Sequence, residues 1–358
     1  MDGIFLLKLA SCPRRRESIR PTMGPRLRGD DADFSLFRVG RRPMEILSKK
    51  PILFLLLFGL LAGELFAREF AAKQSGNSQA ADGQSRIQVR VELVNVLATV
   101  TDKKNRLVTD LTKNDFRVFE DGKPQEIRFF SRETDLPLRI GLLIDTSNSV
   151  RGRLHFEQEA AIDFLNAVLR PDKDLAFAVA FDVDHQVVQD YTDDIEKISM
   201  ALDRLKAGGV TSFFDAVYFS CHEKLSSVPS PEGYLRRVMI VLSDGQDNHS
   251  VHTEEEDLSI AEHAEVTVFT ISTSHGEGGK GDKVLERLAN ATGGRAFFES
   301  EDLEENFEEI AHELHSQYSL AYVSTNSAHD GTFRRITIQP VRKNLRVRAR
   351  PGYFAPSR

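Results

Sequence analysis

The middle of the chain alternates short apolar runs with stretches of helical spacing, and that rhythm narrows the fold more than anything else in the sequence. Leu138 to Ile144 is a largely apolar run ending at Asp145; Arg153 to Leu169 repeats Phe156, Ala160, Ile162, Phe164 and Val168 at helical intervals; Leu175 to Phe181 is a second run of the buried-strand kind. After Asp182-Val183-Asp184-His185, the stretch Gln186 to Gln189 lies close enough to fold back as an antiparallel hairpin partner. Helical stretches then alternate with Val238–Leu242, Val266–Ile271 and Ala296–Phe298. Strands apolar on both faces need cover on both faces, and the helices between them supply it. The expected fold class is therefore α/β, with a doubly wound, mostly parallel six-stranded sheet. The last helix, Leu303 to Tyr318, places Leu303, Phe307, Ile310, Ala311, Leu314 and Tyr318 on one stripe, with Ser300 and acidic residues at its start, and its glutamates read as a solvated face.

On either side the pattern changes to period two. Ile87, Val89, Val91 and Leu93 alternate with polar residues, and Asp115–Glu120 and Gln125–Phe130 flank the turn signal Asp121-Gly122-Lys123-Pro124. Toward the other end, Arg335–Val341 and Leu345–Ala349 alternate around Arg342-Lys343-Asn344. Each β piece is about the size at which a core barely stabilises itself. Pairing into one small β-sandwich, residues 86–135 with 318–358, around an inserted α/β domain at 136–317 is the economical arrangement; two independent β modules are the alternative.

Ahead of the first strand, Lys49 and Lys50 precede Pro51–Gly63, an uncharged apolar run, and then Glu64-Leu65-Phe66-Ala67. Basic flank, short apolar stretch and small residue make a secretory signal pattern, too short for a comfortable membrane span. Residues 1–67 thus read as an Arg- and Pro-rich preamble plus a signal peptide, with translation from Met44 as a natural start, cleavage expected near Ala67 and an uncleaved membrane anchor as the alternative. Residues 68–85, rich in Ala, Gln, Ser and Gly, read as a flexible linker. An exported protein, periplasmic or extracellular, is the expectation.

Charge bears on partners. The 358 residues carry 47 Lys and Arg against 54 Asp and Glu. Residues 1–67 hold 12 basic and 7 acidic side chains, which leaves 35 against 47 in the rest. An acidic body repels phosphate backbones, and no strong local basic patch stands out, so a nucleic-acid partner is not expected. With only Cys12 and Cys221, no disulfide framework exists.

The chemistry gathers where strands end. Both Leu142-Leu143-Ile144-Asp145 and Val241-Leu242-Ser243-Asp244 finish in aspartate, and ligands of open parallel sheets bind beyond such ends. Asp145-Thr146-Ser147-Asn148-Ser149 can turn alternate oxygens to one point, and Gly208-Gly209-Val210-Thr211-Ser212 presents a hydroxyl just ahead of a helix. Asp145, Ser147, Ser149, Thr211 and Asp244, in this order and on these elements, form the pattern of a metal ion-dependent adhesion site. Across about residues 136–315 the chain resembles the von Willebrand factor type A domain, and Asp244-Gly245 and Phe214-Asp215-Ala216 fit as well. Asp115–Gly122 and Arg350–Phe354 are similar to a related family of exported acidobacterial proteins. Two carboxylates, three neutral hydroxyls and waters suit Mg²⁺ or Mn²⁺ better than Ca²⁺. The resemblance implies that the hydroxyls bind directly, one or both aspartates act through water, and a partner's Asp or Glu completes the shell. The expected function is thus a protein-binding or adhesion module rather than an enzyme, with a metal-dependent hydrolase of phosphates or esters as the alternative.

Other chemistries fit less well. An aspartyl-nucleophile phosphatase needs a second Asp where Thr146 or Ser147 stands, and the G-x-S-x-G elbow is absent around Ser147. His312-Glu313-Leu314-His315 has one residue between Glu and His where a zincin needs two. Asp182, Asp184 and His185 read as a polar hairpin tip, and Cys221 as a small core residue.

Overall fold

The computed structural model describes residues 93–132, 136–228, 235–274, 279–298 and 303–357. The preamble, the signal pattern, the linker, the expected strand start at Ile87 and the expected cap Ser300 lie outside the described residues. Among the described residues no helix is long and apolar enough to cross a membrane.

The central sheet is built from β5 (Leu138–Asp145), β6 (Leu175–Phe181), β7 (His185–Thr192), β8 (Arg236–Ser243), β9 (Val266–Ser272) and β10 (Ala296–Phe297), in the spatial order β10-β9-β8-β5-β6-β7. Every pairing is parallel except β6 with β7, the hairpin expected from the sequence. From β5 the chain winds outward through β6 and β7, then returns to β5's other flank with β8, so the winding reverses between β5 and β8.

Both faces are covered. On one, α1 (Leu154–Val168), α2 (Ile195–Leu202) and α6 (Leu303–Ser316) bury Ile140, Leu142 and Ile144 of β5. On the other, α3 (Phe213–Phe219), the π-helical turn Ser220–Leu225, α4 (Glu254–His263) and α5 (Lys280–Thr292) cover Leu143, Phe177 and Met239. The inward stripe of α1 is Leu154, Glu157, Ala161, Phe164, Leu165 and Val168, whereas Phe156, expected on that stripe, is exposed. The two choices lie about 100° apart around the helix.

The flanking strands form two four-stranded sheets. One runs β13-β1-β11-β4, from Leu345–Ala349, Leu93–Asp102, Tyr318–Val323 and Ile127–Arg132; the other runs β14-β12-β2-β3, from Gly352–Phe354, Phe333–Pro340, Phe116–Glu120 and Lys123–Gln125. A single core of Val96, Ala98, Val118, Leu320, Tyr322 and Ile336 joins them. Asp121 and Gly122, both at positive φ, make the tight turn between β2 and β3. The sequence run 125–130 divides, however: Gln125 stays in that hairpin, while Ile127 onward crosses to the other sheet and pairs with β11. In β1 the buried apolar residues are Val94, Val96, Ala98 and Val100, the opposite parity to the Ile87–Leu93 alternation.

Two expectations about the last helix need correction. Tyr318 is not on its stripe; it opens β11, where its hydroxyl donates to Val108 O at 2.8 Å and accepts from Leu111 N at 3.0 Å. Nor are all the glutamates solvated. Glu313 is buried, accepts the Thr99 hydroxyl of β1 at 2.8 Å and pairs with Arg348 of β13, so the helix is bolted to the sandwich. Removing one member of such a buried charged set strands the other. Glu313→Ala is expected to lower unfolding stability by about 2–4 kcal/mol in denaturant titrations, whereas Glu308→Ala on the exposed face changes it by less than about 0.5 kcal/mol.

Candidate metal centre

Three loops meet at the carboxyl ends of β5 and β8. The register pairs Ile144 with Leu242, so Asp145 stands beside Ser243 and Asp244. Asp145 is fully buried: its Oδ1 accepts Ser147 N at 2.8 Å and its Oδ2 accepts the Ser243 hydroxyl at 2.7 Å. A 3₁₀ turn over Asn148–Val150 curls the first loop so that the Ser147 and Ser149 hydroxyl oxygens lie 2.9 Å apart. Ser147, Thr211 and Asp244 are buried, while Ser149 opens to solvent. Asp244 Oδ1 accepts Gln246 N at 3.0 Å.

The loops are tied by backbone. Gly208 N donates to Thr146 O at 2.7 Å and Asn148 N to Gly209 O at 3.3 Å, joining first to second. Thr211 N donates to Asn248 Oδ1 while Asn248 N donates to Thr211 O, each at 3.1 Å, joining second to third. The tip before β7 also contributes: Ser212 N donates to Asp182 O and the Ser212 hydroxyl to Val183 O, both at 2.8 Å. Gly245 sits at positive φ against the start of α5, and a Cβ on Gly281 would fall 2.0 Å from Asp244 O, so the third loop and that helix touch backbone to backbone.

Burial raises the Asp145 pKa and the Asp244 carboxylate adds to the rise, against the opposing hydrogen bonds from Ser147 and Ser243. Among the described residues no group of three or more His, Cys, Asp or Glu is placed to hold a metal. The residue types on the three loops are two carboxylates and three hydroxyls, a chemistry that suits a hard, oxygen-preferring divalent ion better than a zinc- or copper-like centre.

A model of the von Willebrand factor type A domain matches residues 140–313. Those residues are a von Willebrand factor type A domain. Among solved structures, a von Willebrand factor type A protein from Catenulispora acidiphila is similar at 13% identity, covering 67% of this chain and 72% of that one, with a TM-score of 0.43. The von Willebrand domain of the type V pili tip protein Mfa5 from Porphyromonas gingivalis shares 12% identity over 50% of this chain and 95% of that one, TM-score 0.43. Proximal thread matrix protein 1 of the mussel byssus shares 18% over 55% and 51%, TM-score 0.44. No curated protein matches the chain.

Among the residues that support the loops, Asp215 belongs to the motif, while Asp247 and Glu157 escaped it. Asp247 Oδ1 accepts Phe213 N at 2.8 Å and Phe214 N at 3.4 Å, capping α3 from another loop, while Ser212, at the cap position, points elsewhere. Asp215 accepts Val251 N at 3.0 Å and His252 N at 2.9 Å, and the His252 ring stacks on Tyr218. The spacing Asp244-x-x-Asp247 was the available signal. Glu157 was hidden more deeply, as a carboxylate on the inner stripe of α1. It is fully buried, and neither oxygen has a hydrogen-bond partner among the described residues. Burial pushes it up to about 8, with the Arg153 charge opposing and the Asp145 charge adding.

The remaining candidates are structural. Asp182 and Asp184 accept the following backbone N–H groups at the hairpin tip, at 2.6 Å and 2.8 Å. Cys221 is buried, and burial pushes its thiol up, away from nucleophilic use. His312 and His315 are exposed while Glu313 points inward.

Two outcomes follow for the centre. Glu157 keeps its proton in the folded state up to about pH 8 but loses it near 4.5 when unfolded, so stability falls as pH rises through that window. Glu157→Gln is expected to leave the melting temperature of the metal-free protein unchanged at pH 4 and raise it at pH 8, by about 1.4 kcal/mol for each pKa unit of displacement relieved. Gly281→Ala, by pushing the Asp244 backbone aside, is expected to cost more than about 2 kcal/mol in denaturant titrations.

Proposed function

We propose that this is an exported protein-binding module that captures a partner's Asp or Glu carboxylate through a divalent ion held by Asp145, Ser147, Ser149, Thr211 and Asp244. The observation that supports this reading is that the three loops carrying these residues are tied to one another by hydrogen bonds at the ends of β5 and β8, with the Ser147 and Ser149 hydroxyl oxygens 2.9 Å apart and Ser149 facing solvent. Only two of the five donors are anionic. An ion held by so few charges keeps much of its electrophilicity, and an incoming carboxylate relieves it. Mg²⁺ or Mn²⁺ is the expected ion and Ca²⁺ the weaker one, because the donor set is small and lacks the extra carboxylates and carbonyls Ca²⁺ collects.

The chain's own residues divide the work. The Ser243 hydroxyl and Ser147 N–H orient Asp145, the 3₁₀ turn aims Ser147 and Ser149, and the Asn248 pair fixes Thr211. The hydrolytic alternative wants a solvent-reachable base beside the centre. Glu157, the unpaired carboxylate nearest to that description, has no exposed surface. Export rests on the Lys49-Lys50 and Pro51–Gly63 pattern.

Calorimetric titration of the purified protein with Mg²⁺, Mn²⁺ and Ca²⁺ tests the reading. One saturable site for Mg²⁺ and Mn²⁺ is expected, lost in Asp145→Ala and weakened at least tenfold in Ser147→Ala. Acetate, added as the simplest carboxylate, should then bind only to the ion-loaded protein. Partner or acetate binding that survives removal of the ion and Asp145→Ala would sink the proposal.

A further inference from the structure

The acidic character of the chain breaks down at its C-terminal strands. Between Phe333 and Arg350 stand Arg334, Arg335, Arg342, Lys343, Arg346, Arg348 and Arg350 with no Asp or Glu among them. Strand alternation sends Arg346 and Arg348 to one face of the edge strand β13, and Arg350 follows directly after its end. Their neighbours across on β1 are neutral: Arg348 stands opposite Thr99 and Arg346 opposite Thr101.

The type A domain answers this row unevenly. Arg350 pairs with Glu265 at 2.5 Å and Arg348 with Glu313. The next acidic residue one turn back along α6, Glu309, is already taken by Arg295. Arg346 is therefore left with no ion pair or hydrogen bond among the described residues. It does not face bulk solvent on a flat surface. Together with Lys104 and Arg106 of the turn after β1, Arg295, Arg348 and His312, it lines a cleft of about 790 Å³ between the sandwich and α6. Of the five cationic side chains there, Arg106 pairs with Asp102, Arg295 with Glu309 and Arg348 with Glu313, which leaves the Arg346 guanidinium and the Lys104 ammonium without a partner among the described residues. Arg348 adds a buried Nε–H with no hydrogen-bond partner among the described residues. A buried unmet donor beside uncompensated guanidinium and ammonium groups is what an oxyanion would satisfy.

We propose that this cleft is a second binding site, separate from the metal loops, for a ligand carrying two or more carboxylate or phosphate groups, with Arg346 and Lys104 as the chief contacts and the Arg348 Nε–H as the inner donor. Planar guanidinium groups match both kinds of oxyanion, so the chemistry is shared between a polycarboxylate and a phosphate-bearing ligand. The site does not depend on the ion-binding reading.

Calorimetric titration of the purified, metal-free protein at low salt, with citrate in one arm and pyrophosphate in the other, decides the matter. A single saturable site is expected for at least one of them, and the tighter arm identifies the anion class. Its affinity should fall at least tenfold in Arg346→Glu and several-fold in Lys104→Ala, and weaken with added salt. Arg117→Ala, an exposed cation on β2, and Asp145→Ala should leave it unchanged. Arg346 is exposed and makes no bond, so its replacement leaves the melting temperature in place. No saturable binding of either anion, or binding that Arg346→Glu leaves intact, overturns the proposal.

Discussion

The pairing of β5 with β8 is the constraint on which the centre of this protein depends. Parallel register sets Ile144 beside Leu242 and so brings Asp145, Ser243 and Asp244 to one end of the sheet. A slip of one residue would turn Leu142 and Ile144 to the wrong helical layer and separate the carboxylates together. Because both faces of the sheet are buried, the register is held by two hydrophobic clusters rather than by the loops. The loops can then be devoted to aiming oxygens. The cost of burying Asp145 at the strand end appears in its raised pKa, to which the Asp244 charge adds, and the hydrogen bonds from Ser147 and Ser243 offset part of it.

Much of this was legible in the sequence, for a physical reason. Parallel central strands are apolar on both faces, so their runs stand out, and Asp at the end of such a run is a conspicuous exception. The five oxygen donors follow a local pattern of spacings that the strand-loop-helix order makes meaningful. What stayed hidden was non-local. Asp247 caps a helix that begins 34 residues earlier, a partnership no short motif records. Glu157 occupies a place on α1 where spacing alone argued for Phe156, because periodicity says which residues share a stripe but not which of two neighbouring stripes the sheet selects. Ile127 leaves its hairpin for the other sheet through pairing with Tyr322, a residue nearly 200 positions away.

The same non-locality explains the charge pattern. Read along the chain, the C-terminal arginines are diluted by an acidic whole; read in space, Arg346 and Arg348 share one face of an edge strand. Glu313 and Glu265 compensate Arg348 and Arg350 because α6 and the turn after α4 pass close by. Edge strands carrying Arg on the outer face also resist pairing with other chains, so the arginines guard the sheet edge whether or not a ligand visits them.

The route of the chain through the sandwich bears on how the protein is made. Strand β1 lies between β11 and β13, and β4 pairs with β11, so the N-terminal β piece borrows its neighbours from the other end of the chain. Thr99 meets Glu313 across 214 residues. During synthesis the first strands emerge long before their partners exist. At roughly 5–20 residues per second they wait at least about ten seconds with open edges. The type A domain, whose sheet partners all lie within its own segment, has its last helix complete at Ser316, just before β11 begins at Tyr318. It then holds the two ends of the sandwich near one another, turning a long loop closure into a short one. In this order of events the inserted domain acts as the assembly jig for the β-sandwich that encloses its ends.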